Sequence, residues 1–391
     1  MIKYKRKEIT VTLTQLFFAL LRAYFNENYD ELSNVEKPTE QTLSDLYLLA
    51  SVHDLAHVIE KPLKKLGYLA DSPTKAKFKK AKNTAIFRYI EQSGAYDSIC
   101  ALLEEEKIQY VPLKGALIRD LYPSPEQRSA CDIDILIHES DMEKALSLIS
   151  EKLGFERDGK CFHDVSLSRG TVHLELHYNI TEDDARLDKL LSRAWDYVEE
   201  NENCKQKFTN EFFVFHVIAH MCHHFLHGGC GVKSLLDLWM IRKKLSYNEE
   251  KLLLMLDECE LMTFYYAMCQ LSDIWFSDGE NTKHTLTMQK YILSGGAYGE
   301  RKNRISAQKK ENGGKLAYVY RRIFIPRRHL EMLYPALKDH PMLLPLCHVR
   351  RWLRVVRKGR GSDAINELSY AALPNSQNDK EIEAMLDFLG L

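Results

Sequence analysis

The chain has 391 residues, 45% of them hydrophobic and 28% charged, enough to bury two or three apolar cores. Its formal net charge is -1 and its isoelectric point is near 6.9, so no global charge points to nucleic acid or to an anionic membrane, and any charge argument has to be local. Nine cysteines, with no Cys-x-x-Cys pair and no recurring interval, exclude a disulfide framework and read as reduced thiols of a cytoplasmic protein.

The first 25 residues begin basic and turn apolar, but Gln15 and Arg22 interrupt them and no small-residue cleavage site follows, which argues against a secretory signal. Leu16, Ala19, Leu20 and Ala23 instead recur at helical spacing over 11–25, and Leu46, Leu49, Ala50, His53 and Leu55 do so over 42–67, with a polar, proline-containing stretch at Glu36–Thr39 between them. A basic run, Lys75–Lys82, leads into a further helix reaching about Glu106. Nowhere are about 18 consecutive residues apolar, so no membrane span is expected.

The period then changes. Gln109–Lys114, Asp132–Ile137, Phe162–Ser168 and Val172–Tyr178 read as strands, the last two joined by a turn at Arg169-Gly170, and Asp141–Leu153 reads as an apolar-periodic helix between the pairs. From about Thr209 the helical period returns and persists. The expected architecture is α+β: a helical region over 1–95, a small mixed sheet with packed helices over 96–200, and a helical domain over 201–391.

Side chains of a strand alternate between its faces, so Asp132 and Asp134 project together while Ile133 and Ile135 enter the core. The same alternation puts His173, Glu175 and His177 on one face of the later strand and Val172, Leu174 and Leu176 on the other. If the two strands are neighbours, three carboxylates meet, and such a cluster ordinarily persists because a hard divalent cation neutralises it. Oxygen donors with open positions suit Mg²⁺ or Mn²⁺. Taken alone, Asp-x-Asp also fits an exposed face with solvated acids. Upstream, Leu113-Lys114-Gly115-Ala116 turns a strand into a helix, where a glycine and free backbone N–H groups can approach a phosphate and Lys114 can pair with it. A proline-stiffened loop, Tyr122–Ser129, delivers Arg128 just ahead of Asp132, as a phosphate contact or a salt bridge.

With these residues the chain resembles the nucleotidyltransferase superfamily typified by DNA polymerase beta, and within it the bacterial family labelled uncharacterised nucleotidyltransferase. The resemblance rests on Leu113-Lys114-Gly115, Arg128 through Asp134, and Glu175-Leu176-His177. It continues through His216, His220, His223 and His224, then Gly231-x-Lys233 and Asp237, to Pro326, Tyr334-Pro335 and the arginines around Arg350–Arg357. It implies a reaction type, transfer of a nucleoside monophosphate with release of pyrophosphate, and not a target molecule; the preferred expectation is AMP from ATP passed to a hydroxyl of a small molecule or protein. Asp132 and Asp134 would hold Mg²⁺ or Mn²⁺, with Glu175 as third ligand or general base. Lys114, Gly115, Ala116 and Arg128 would hold the triphosphate, and His177, His220, His224, Lys233 and Asp237 would face the cleft. Ala116 stands where the superfamily commonly has serine, which leaves that contact to Lys114 or to backbone amides. Two alternatives stay open: a catalytically degenerate nucleotide-binding or assembly module, and a nucleic-acid-directed transferase.

Two further signals admit plainer readings. The histidines from His216 to His227 fall on one side of a helix, at spacings that can bind zinc, but Phe215, Val217, Ile218 and Phe225 around them favour a structural helix facing the cleft. Lys233 and Asp237, one turn apart, fit an ion pair on the helix surface. Residues 301–360 carry 17 Lys/Arg against three acids, a local balance of +14 that leaves -15 elsewhere. Leu343, Leu344, Leu346, Trp352, Leu353 and Val356 recur there as in a packed helix with a basic outer face, which favours that reading over a nucleic-acid track.

Overall fold

Helices α1 (Ile2–Phe25), α2 (Glu40–Val52), α3 (Ala56–Lys65) and α4 (Lys75–Glu105) fill the first hundred residues. The computed structural model describes residues 2–33, 35–161, 163–311, 313–357, 359, 361–372 and 376–391. The helical period over 42–67 is split between α2 and α3 at Asp54, whose φ of 55° is left-handed, a conformation that a short polar side chain tolerates better than most. That break turns Asp54 towards Ser129 and Lys233, both of which donate hydrogen bonds to its carboxylate.

The α+β class expected from the sequence is the one observed. Strands β1 (Tyr110–Pro112), β2 (Asp132–Ile137), β3 (Glu156–Lys160), β4 (Asp164–Arg169) and β5 (Val172–His177) form one sheet in the order β1-β2-β5-β4-β3. The β2–β5 pair is parallel and the other pairs are antiparallel. Helix α5 (Lys114–Arg119) follows β1, and α6 (Met142–Leu153) connects β2 to β3. The strand expected at Phe162–Ser168 is found at Asp164–Arg169, and Phe162 lies outside the described residues. Strand β3 is an addition to the four expected. Its sequence, Glu-Arg-Asp-Gly-Lys, has no apolar alternation, and its register shifts between Arg157 and Gly159, as suits a charged edge strand.

Helices α7 (Asp188–Leu191), α8 (Asn210–Leu226), α9 (Val232–Lys244), α10 (Glu249–Glu258), α11 (Met262–Phe276) and α12 (Lys283–Gly295) come next. They are followed by α13 (Arg301–Glu311), α14 (Lys315–Ile323), α15 (Arg327–Leu333), α16 (Leu344–Arg357), α17 (Gly361–Ala372) and α18 (Gln377–Leu389). One core packs Ile133, Ile135, Leu174 and Leu176 of the sheet against Ile99 and Leu103 of α4 and Leu146 and Ile149 of α6. A second, larger core joins α1–α3 to α8–α12 and reaches the other face of the sheet at Leu136. Phe18 stacks on Trp275 within it, ring centroids 4.5 Å apart. Hydrophobic burial therefore fixes the C-terminal helices over the face of the sheet that carries the acids. Among the described residues no helix is long and apolar enough to cross a membrane, and none of the nine cysteines forms a disulfide.

The corner between α8 and α9 is set by glycine. Gly228 takes a φ of 119° and its carbonyl accepts the Glu300 N–H at 3.0 Å, while a Cβ on Gly231 would lie 2.9 Å from the Ala297 Cα. That neighbour is backbone and cannot swing aside. Gly231→Ala is expected to cost about 1–3 kcal/mol of stability, read as a lowered denaturation midpoint with an unchanged slope.

Candidate functional site

Register makes the site. In the parallel β2–β5 pair Asp134 lies opposite Glu175, Asp132 opposite His173 and Leu136 opposite His177. Asp134 and Glu175 therefore stand side by side on the face away from the sheet's own core, and His177 follows Glu175 on that face. The His177 Nε2 lies 3.2 Å from Asp134 Oδ1 and 3.7 Å from Glu175 Oε2. One donor atom from each of Asp134, Glu175 and His177 lies within 4.8 Å of the others, and among the described residues this is the one group of acids, histidines or cysteines so gathered. Asp132 lines the same cleft, two residues along the strand.

The charges are unequal in situation. Burial pushes the Glu175 carboxyl up to about 7, with the charges of Asp134 and Asp132 adding to it. Asp132 is raised for the same reasons, by burial first and Asp134 second. Burial acts on Asp134 in the same direction, but the His177 hydrogen bond, the His177 charge and Lys114 outweigh it and hold Asp134 below the usual carboxylate range. Asp134 is thus the settled anion of the cluster, and Glu175 and Asp132 carry the uncompensated repulsion. Loss of water holds Lys114 below its ordinary value, against the pull of Glu182, Asp134, Asp132 and Glu175.

These groups line a cleft of about 460 Å³, within the size range of small-ligand sites. Its floor is the acidic face of β2 and β5, and α8 and α9 supply the facing wall. Lys114 and Gly115 open α5 at one side. A Cβ on Gly115 would lie 3.4 Å from Arg128 Nη1, so the glycine lets that guanidinium rest against the start of α5. The Ala116 side chain lies outside the described residues.

The structure pairs Arg128 with Asp237 at 2.9 Å, the two side chains only 12% and 6% exposed, and the Tyr122 hydroxyl donates to the same carboxylate at 2.7 Å. The ion pair between Lys233 and Asp237 suggested by their spacing is not what forms. Lys233 instead reaches across to Asp54 at 3.4 Å and the Ser129 carbonyl at 3.1 Å.

On α8, His220 Nδ1 donates to Glu182 Oε1 at 2.7 Å. With that proton on Nδ1, His220 Nε2 is an acceptor, and His224 Nε2 donates to it at 2.8 Å. His223 Nδ1 lies 3.4 Å from the other Glu182 oxygen. Burial and the charge of Lys114 depress the His220 pKa, and burial lowers His223 to about 4. His216 is buried, and its Nδ1 has no hydrogen-bond partner. Glu182 is the cleft residue that sequence reasoning missed, because it lies on a loop after β5 where no periodicity singles it out.

The donor set of Asp134, Glu175 and His177 can hold a divalent cation: two neighbouring carboxylates, one of them uncompensated, supply hard oxygen donors, and His177 presents Nε2 beside both. Two lysines, Lys114 and Lys233, line the same cleft as this set, a combination suited to a polyanion carrying its own cation.

A family model described as uncharacterised nucleotidyltransferase matches residues 39–277. Among curated proteins and solved structures nothing matches the chain. The matched stretch contains β1 to β5, α8 and α9, hence nearly every wall of the cleft.

Proposed function

Because the chain belongs to the uncharacterised nucleotidyltransferase family, we propose that its cleft transfers a nucleoside monophosphate, AMP from ATP, to a hydroxyl of a small molecule or protein and releases pyrophosphate. The observation that carries this reading is the alignment of Asp134 with Glu175 across neighbouring parallel strands, with His177 beside both. Asp134, Glu175 and His177 would hold Mg²⁺ or Mn²⁺, with Asp132 adding negative charge alongside. When bound, such an ion would neutralise charge on the α-phosphate and help to activate the attacking oxygen.

The remaining work falls to the chain. Lys114 and Lys233 pair with the triphosphate, and Lys114 also offsets the acidic cluster when the cleft is empty. The acceptor oxygen attacks the α-phosphorus, the bond from that phosphorus to the bridging oxygen breaks, and pyrophosphate leaves with the bonding electrons. His220 takes the acceptor's proton at Nε2, held in the right tautomer by the Glu182 carboxylate at Nδ1. His224 donates to that nitrogen from the rim of the cleft, in the position that an acceptor hydroxyl would take over. Arg128, joined to Asp237 and through that carboxylate to Tyr122, is assigned to positioning: it braces the loop ahead of β2.

The acceptor is identified by incubating the protein with each nucleoside triphosphate labelled in the base, Mg²⁺ or Mn²⁺, and a lysate separated into small molecules and proteins. Label appearing in one fraction names the acceptor class. Label that stays on free nucleotide under every condition supports a nucleotide-binding module instead. Lys114→Ala is expected to weaken ATP binding about ten- to a hundredfold, the worth of a charge-assisted phosphate contact of roughly 1.5–3 kcal/mol. Unchanged affinity, measured calorimetrically, would remove Lys114 from the site.

A further inference from the structure

Positive charge and exposed apolar surface concentrate in one part of the chain, beyond the family match. Residues 301–360 hold 17 Lys/Arg against three acids. Of the 20 exposed large hydrophobics among the described residues, 11 lie between Leu316 and Ile365. They are ordered rather than scattered. On α14 and just after it Leu316, Tyr320 and Phe324 recur every fourth residue, which places them on one side of the helix, and Leu316 is 79% exposed. On α16 Leu346, Val349, Leu353 and Val356 recur at intervals of three and four, and all are exposed.

The packing shows why these stripes point outward. Cys347 and His348 bury the opposite side of α16. Trp352 Nε1 donates to the Ile323 carbonyl at 3.1 Å, and the Trp352 and Phe324 rings meet at 5.6 Å, so α16 is pinned beside the end of α14. Arg350, Arg354 and Arg357 are exposed on the turns adjoining the α16 stripe, and among the described residues none of them is ion-paired to an acid. Between α13, α14, α16 and α17 lies a cavity of about 640 Å³ with Arg301, Arg304, Arg322 and Arg351 around Trp352 and Ile365. Arg304 and Arg322 share Glu367.

A nucleic acid would satisfy the arginines but leave the leucine and valine stripes in water. A lipid surface with anionic headgroups satisfies both at once, phosphates on the guanidiniums and the stripes at the acyl boundary. We propose that α14 and α16 form a docking surface for a bilayer containing anionic phospholipid, on which the protein lies without crossing it.

The test is co-sedimentation of the full chain with vesicles of phosphatidylcholine alone, and with phosphatidylglycerol added in equal amount. Binding is expected only to the mixed vesicles, and salt should weaken it. Replacing Arg350, Arg354 and Arg357 together by Gln should cost on the order of a hundredfold in affinity, about fivefold per arginine. Leu353→Glu with Val356→Glu should abolish binding while the melting curve, which reports the fold, stays in place because both positions face solvent. Equal binding to both vesicle types, no binding, or binding unaffected by either set of substitutions would overturn the proposal. So would oligonucleotide binding that survives the glutamates, or a dimer in solution that the glutamates dissolve, since either result names a different occupant.

Discussion

If Glu175 holds the cation as proposed, Glu175→Gln is expected to reduce nucleotidyl transfer by a factor on the order of a thousand or more, since a cation ligand is worth several kcal/mol in the transition state. It should also raise the melting temperature of the metal-free protein. Glu175 is carried from an ordinary 4.5 up to about 7, by burial first and then by Asp134 and Asp132. A carboxyl raised in the folded state costs nothing below its unfolded value, and the cost grows from about pH 4.5 and is complete above about pH 7. Its side chain is 37% exposed, so solvent screening leaves a cost of about 1 kcal/mol, or about 1 °C for a chain of this length.

In chelator at pH 8 the Gln variant should therefore melt above the parent, and near pH 4.5 the two should coincide. Asp134→Asn should lose activity to the same degree with the opposite sign in stability. Its folded value is depressed below the ordinary 3.8, where burial is outweighed by His177 and Lys114, so its charge stabilises the fold above that pH. Both variants should lose the melting shift that Mg-ATP gives the parent by mass action. If both keep that shift and their activity, the cluster is not the cation site.

Arg128→Met is expected to be the most damaging single substitution for stability near the cleft. Arg128 and Asp237 are nearly buried, and removing the guanidinium leaves a carboxylate in low dielectric with only the Tyr122 hydroxyl for company. Breaking a buried pair costs about 3–5 kcal/mol, about 4–6 °C here. Adding Asp237→Leu should return much of the loss, because replacing both partners removes the stranded charge. A phosphate-binding role for Arg128 requires the reverse pattern: an unchanged melt in the absence of nucleotide and weakened ATP binding. Equilibrium denaturation of the two single variants and the double variant separates the two roles.

How much of this was legible beforehand follows from the range of each interaction. The pairing of Asp132 with Asp134 on one face, and of Glu175 with His177 on another, is local, and period-two alternation displays it directly. What alternation cannot give is register. Only the crossover through α6, β3 and β4 sets Asp134 opposite Glu175, with His177 one alternation to one side of that pair and Asp132 one alternation to the other. The Arg128–Asp237 pair joins residues 109 apart in the chain, so their spacing to nearby residues suggested other partners. Glu182 sits on a loop without pattern, and β3 is an edge strand whose residues carry no apolar period. The stripe of α16 was visible as helical periodicity, but periodicity alone reads as a buried face, and only the packing of Cys347, His348 and Trp352 shows which side is inside.

The most direct test of nucleotidyl transfer at this cleft is to supply Mg-ATP labelled at the α-phosphate in one reaction and at the γ-phosphate in another, together with the fraction containing the acceptor. The account predicts that the α-label moves to the acceptor while the γ-label leaves as pyrophosphate, and that Glu175→Gln stops both. Label from the γ-position on the acceptor, or γ-label released as inorganic phosphate while the α-label stays on free nucleotide, would contradict it.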